Sequence, residues 1–160
     1  MGSQEARGDA LAVLGRVAML TTAPFLAGRL GAVAEAVRAG DPGSAAHVVA
    51  LEQLCALVQV AAGVLADAVE GETPSAPLVL EQACDRAARE GRPDPAVDLS
   101  RALLGVADLA LRLGPAGMSP RIMEVLAAAL ARWADTFLLA LRPARVADAF
   151  GAQVTVGAIL

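Results

Sequence analysis

Leu26, Leu30, Val33 and Val37 recur at i, i+4, i+7 and i+11, the spacing that gathers side chains on one face of a helix with about 3.6 residues per turn. The same stripe returns twice. Leu99, Leu103, Val106, Ala110 and Leu113 form the second, and Ile122, Leu126, Leu130, Trp133, Phe137 and Leu141 form the third, with Arg121, Glu124, Ala128, Arg132 and Asp135 on the opposite face. Between the stripes lie the clusters GDPGS (Gly40 to Ser44), GETPSAP (Gly71 to Pro77), GRPDP (Gly91 to Pro95) and GPAGMSP (Gly114 to Pro120). Each joins a glycine that can end one helix to a proline, hydroxyl or acid that can begin the next.

This punctuation predicts helices over Ala10 to Leu20, Pro24 to Ala39, Ser44 to Val69, Pro77 to Glu90, Pro95 to Leu113, Pro120 to Leu141 and Ala144 to Leu160. Asp94 and Ser119 are the expected N-caps of the fifth and sixth. In the third, Gly71 is the expected cap, with Thr73 or Ser75 starting the fourth. The expectation is therefore an all-α fold. One helix pair, Pro24 to Val69, has about the length of a HEAT or armadillo unit, roughly 40 to 47 residues. The third helix is apolar on more than one side, as a helix sandwiched between stacked repeats would be. An α-α superhelix of HEAT/armadillo-like antiparallel pairs, about seven helices in all, fits that pattern. Residues 1–8 read as a disordered or tag-like start and residues 9–160 as the solenoid segment. The apolar run VTVGAIL lacks a cap or polar tail, which reads as a piece of a longer solenoid.

Mean hydropathy is +0.56, high enough to raise a membrane span. The longest apolar stretch, Ala45 to Glu70, is interrupted by His47, Glu52, Gln53 and Gln59, so it reads as a buried helix rather than one inserted in a membrane. The polar start MGSQEARGDA lacks the basic-then-apolar order of a signal peptide. Net charge is -4, and the thirteen cations are all arginines scattered singly, so no basic stripe is available for nucleic acid. Cys55 and Cys84 lie in apolar helical stretches and read as buried thiols. His47 and Cys55 are eight residues apart, about 12 Å along a helix, too far to share a metal. No nucleophile sits with a base: Ser100 and Ser119 read as caps or helix starts, so no enzyme, metal or cofactor is expected.

Three short motifs carry a resemblance. GVLADAVEGETPSAP (Gly63 to Pro77) contains Leu65, Ala66, Asp67 and then Gly71 to Pro74; a later helix carries Arg132, Trp133, Ala134, Thr136, Phe137, Leu138 and Leu139; Ala149, Phe150 and Gly151 follow. In order and approximate spacing over Ala23 to Leu160 these resemble the middle portion of a nuclear export receptor of the importin-β (karyopherin-β) superfamily. The stretch between EQACDRAAREGRPDP and the next helix is shorter than that family's corresponding loop, and the N-terminal repeats that grip Ran in that family have no counterpart here. The resemblance implies a receptor that binds protein cargo together with the small GTPase Ran in its GTP form, meets nuclear pore proteins and shuttles between nucleus and cytoplasm.

Five residues are the partner-contact candidates. Asp67, Glu70 and Glu72 bunch where the third helix stops, either as solvated ends or as an acidic patch that attracts a basic partner. Arg132 and Asp135 either form an i, i+3 surface pair or face a bound protein from the concave side. The runner-up function is a stand-alone helical-bundle adaptor or oligomerisation module with no transport role.

Overall fold

A computed structural model describes residues 2–67 and 74–138, residues 2–7 as backbone alone. Six helices occupy them: α1 (Gly2–Arg16), α2 (Met19–Ala39), α3 (Ala45–Leu65), α4 (Leu78–Arg89), α5 (Pro95–Gly117) and α6 (Pro120–Phe137). No strand occurs among the described residues, and a single antiparallel bridge joins Asp67 to Ser75. The all-α expectation holds. The seventh segment, Ala144 to Leu160, lies outside the described residues.

Helix starts follow local chemistry wherever a short polar side chain precedes them. Ser44 Oγ accepts from the His47 amide at 3.1 Å, and Ser119 Oγ from that of Ile122 at 3.4 Å. Asp94 Oδ1 accepts from the amides of Ala96 (2.9 Å) and Val97 (3.2 Å), with Pro95 at the first helical position where its missing N–H costs nothing. Stops follow glycine in two places. Gly91 (φ 64) lies just beyond α4, and Gly114 (φ 60) breaks the regular part of α5, both in the left-handed region where a Cβ is unfavourable.

Several boundaries depart from expectation. α1 begins within the stretch read as tag-like and ends at Arg16 rather than Leu20. Pro24, expected to open the second helix, sits inside α2. The carbonyl of Leu20, four residues earlier, cannot receive a hydrogen bond from it, and Arg92 Nη2 donates to that carbonyl at 3.4 Å instead. α3 stops at Leu65, not Val69, because Ala66 turns extended (φ -140°, ψ 132°) to enter the bridge. Pro77, not Thr73 or Ser75, holds the cap position of α4 and supplies no side-chain bond; Ser75 pairs with Asp67.

α3 lies at the centre, packed against α1, α2, α5 and α6, while α2 also packs broadly on α5. Ala61, Ala62, Gly63, Val64 and Leu65 are buried in succession. A helix buried at five consecutive positions has protein on every side there. By length and composition α3 is long and apolar enough to cross a membrane, yet more than half of its most apolar window is buried among the other helices. The predicted stripes point inward: Leu26, Leu30, Val33 and Val37 of α2, Leu99, Leu103, Val106 and Ala110 of α5, and Ile122, Leu126, Trp133 and Phe137 of α6 are all buried. Leu113 and Leu130 are partly covered at the edge of the same core.

Candidate functional site: the outer face of α1 and its anchor

Small residues attach α1 to α3. Only Ala12 is buried among its described side chains, and a Cβ built on Gly63 would stand 2.8 Å from the Ala12 Cβ. One built on Gly8 would meet Gln59 Cβ at 3.9 Å, and one on Gly15 would meet Val64 Cγ2 at 3.6 Å. Gly63 is therefore glycine because two helix backbones approach there. A narrow contact leaves the rest of α1 outside. Ala10 and Leu14, spaced i and i+4, lie on the side away from Ala12, Leu11 and Val13 flank them, and Val17 follows in the turn after the helix. Leu11 (56%), Val13 (58%), Leu14 (67%) and Val17 (84%) are each more than half exposed, as is Phe25 (63%) on α2. Apolar residues clustered at this density on a surface mark a contact site more often than chance exposure does.

One ionic joint holds the C-terminal end of α1. Arg16 Nη1 donates to Asp67 Oδ1 and Nη2 to the Gly63 carbonyl, while Nε is buried without a partner. Asp67 also exchanges backbone bonds with Ser75, N to O at 2.8 Å and O to N at 3.1 Å. One aspartate thus ties α1, the end of α3 and the approach to α4 together. Its side chain is half-exposed, but its charge is already answered by Arg16. Glu70 and Glu72 lie outside the described residues.

Arg132 and Asp135 sit half-exposed on α6, and no ion pair joins them, so the expected i, i+3 pair is not formed. Between them Trp133 is buried and its Nε1–H donates to Ser100 Oγ at 2.9 Å. Ser100 is therefore neither cap nor helix start but a buried acceptor inside α5. Thr136 Oγ1 donates to the Arg132 carbonyl at 2.8 Å. Among the described residues no hydrogen bond or ion pair links Asp67 to either α6 candidate.

Sequence reasoning named His47 and Cys84 but missed the partners that they meet in the core. His47 is 4% exposed, its Nε2 lies 3.1 Å from the Gly117 carbonyl, and Nδ1 has no partner against the backbone at Gly40. Its phase with Leu51, Leu54 and Val58 was the available signal. Cys84 Sγ donates to Asp94 Oδ1 at 3.2 Å, so the cap of α5 also receives a thiol from α4. Cys55 is buried, and burial first, then the nearby Glu52 charge, pushes its thiol up against the opposing pull of Arg121. Neither cysteine forms a disulfide, and among the described residues no group of three His, Cys, Asp or Glu could hold a metal.

No family model matches this chain, and no curated protein and no solved structure matches it.

Proposed function

We propose that the chain is a stand-alone helical bundle that works as an adaptor or oligomerisation module, binding protein through the outer face of α1. The observation that carries this reading is the cluster of exposed Leu11, Val13 and Leu14 on a helix whose opposite side is already docked, with exposed Val17 in the turn that follows it. Water contact with that cluster is unfavourable, and another apolar surface relieves it. The test is a photo-crosslinking residue placed at Leu14 in the intact chain and activated in living cells. Protein adducts that vanish when Val17→Glu is added are expected. Absence of protein adducts at Leu14, with adducts formed from a control position on α5, ends the reading.

A second reading rests on the motif resemblance: a segment of a nuclear export receptor, similar to the middle of exportin 4, that carries protein cargo with Ran-GTP through the nuclear pore. Three motifs in register favour it. Against its stacked HEAT-like arrangement stands the packing of α2 on α5 and of α3 on α6. Pairing the helices as first with second and third with fourth makes α2–α5 skip a repeat; shifting the phase by one helix makes α3–α6 skip one. In a solenoid each repeat touches only its neighbours. Since the repeats that grip Ran have no counterpart in this chain, the deciding partner is the pore: lack of binding to purified nuclear pore proteins that a full-length export receptor does bind removes the transport role.

A further inference from the structure

Between α1 and α2 the bundle is open. The two helices meet at a closed corner, where a Cβ built on Gly15 would stand 3.0 Å from Thr22 Cγ2 and 3.6 Å from Val64 Cγ2. Two turns earlier that contact is gone, and a Cβ on Gly8 would have only Gln59 of α3 within 4 Å. The helices therefore splay from the corner, and α3 forms the floor of the gap. From Val64 backwards, Val60, Ala56, Gln53 and Val49 follow on one face at steps of four, four, three and four; Val60 is half-buried and the other three are exposed. One turn from the corner stand Leu11 on α1 and Phe25 on α2, both more than half exposed. The result is a V-shaped cleft with a bulky apolar residue on each wall and valines beneath.

Arg29 gives the cleft its charge. Thr22, Phe25 and Arg29, at steps of three and four, share the face of α2 that flanks the gap. The positions three and four away from Arg29 are Phe25, Leu26, Ala32 and Val33, all apolar, and it enters no hydrogen bond or ion pair among the described residues. Other exposed helical arginines are answered within about a turn: Arg38 by Glu35, Arg86 by Glu90, Arg101 by Asp98 and Arg112 by Asp108. Glu52, next to Gln53 on the floor helix, is taken by Arg121. A lone cation thus stands beside exposed apolar surface with no described acid to neutralise it.

We propose that this cleft is the docking site for an amphipathic helix of another protein, one that carries an acid at the border of its apolar side to meet Arg29. The proposal rests on the reading of the chain as a protein-binding module, and it names the cleft and the chemistry of the partner. Two helical walls over a helical floor offer the ridges and grooves into which a further helix packs, its apolar residues reaching Leu11, Phe25 and Val60. The acid fixes the direction in which that helix lies, because turning it end for end carries the acid away from Arg29. A lipid surface is flat and cannot reach Val60 at the bottom of the cleft.

A displayed library of amphipathic helices, apolar on one side and randomised at the bordering positions, is selected against the full chain and against the full chain with Arg29→Glu. Enrichment of Asp or Glu at one bordering position is expected from the first, and of Lys or Arg at that position from the second. A peptide from the first selection should bind the Arg29→Glu chain about tenfold more weakly. Ala56→Arg, which fills the floor from an exposed position, should abolish its binding at unchanged Tm. No enriched helix, the same charge preference against both chains, or undiminished binding to the folded Ala56→Arg chain overturns the proposal. If the selection fails while Leu14 still crosslinks protein in cells, the cleft is lost and the module reading stands.

Discussion

Cys55 titrates in a pH range that this sequence otherwise leaves almost empty, for the chain has no tyrosine and no lysine. Above about pH 8.5 the thiol of an unfolded chain ionises, whereas burial keeps the folded Cys55 protonated to higher pH. The unfolded state then binds fewer protons than the folded one, so stability falls as pH rises through that window. Urea melts of wild type and Cys55→Ala at pH 8 and pH 10 should show a steeper loss in the wild type; equal losses would mean that the thiol ionises alike in both states. Ser100 makes a second test. Removing its hydroxyl deletes the 2.9 Å bond from Trp133 and leaves the packing of α5 on α6 otherwise intact. Ser100→Ala should cost about 1 kcal/mol, read as a lower urea midpoint at unchanged slope.

At the scale of an element, α2 carries a residue that its own geometry disfavours. Pro24 interrupts the ladder, and the 3.4 Å bond from Arg92 is a weak replacement for the one that the Leu20 carbonyl lacks. Since Pro24 is exposed, no packing is lost on removing it. Pro24→Ala should therefore stabilise the fold, by at least about 1 kcal/mol against the roughly 3 kcal/mol that an interior helical proline costs. A fall in Tm would show that the proline fixes the approach of α2 to the Arg92 loop. The same element shows what the chain's spelling reveals. The stripe from Leu26 to Val37 was legible because four apolar residues repeat on one period and must find a common cover. Pro24 misled because proline within helices is favoured at the first turn, and here a distant arginine compensates for it inside one. α3 misled likewise: nothing local stops it at Leu65, and the bridge from Asp67 to Ser75 and the reach of Arg16 across fifty-one residues do. Local grammar records caps such as Asp94 and Ser119. It is silent about partners that arrive from elsewhere in the fold, which is why Asp67 was identified as a candidate but its pairing was not, and why the apolar side of α1 became visible only when its docked side was known.

Across the whole molecule the helices are unequally held. α3 is enclosed by four neighbours, whereas α1 leans almost wholly on α3, through one buried alanine, facing glycines and the Arg16 joint. Local opening free energy follows buried apolar contact, so α1 belongs at the low end and the centre of α3 at the high end. Arg16 is the lever that separates the two. Its side chain is 15% exposed against 45% for Asp67, so solvent weakens the pair on the aspartate side while the bond to the Gly63 carbonyl remains sheltered. Arg16→Ala should then raise hydrogen exchange at the amides from Ala10 to Gly15 by about tenfold, corresponding to about 1.4 kcal/mol of lost local protection. Exchange at Leu54 to Val58, which opens only with the entire fold, should change far less. Asp67→Ala should give a smaller rise, because it leaves the Arg16 bond to the Gly63 carbonyl in place, and adding it to Arg16→Ala should change little more. Uniform acceleration across all six helices would instead mean that α1 unfolds together with the body, with no opening of its own.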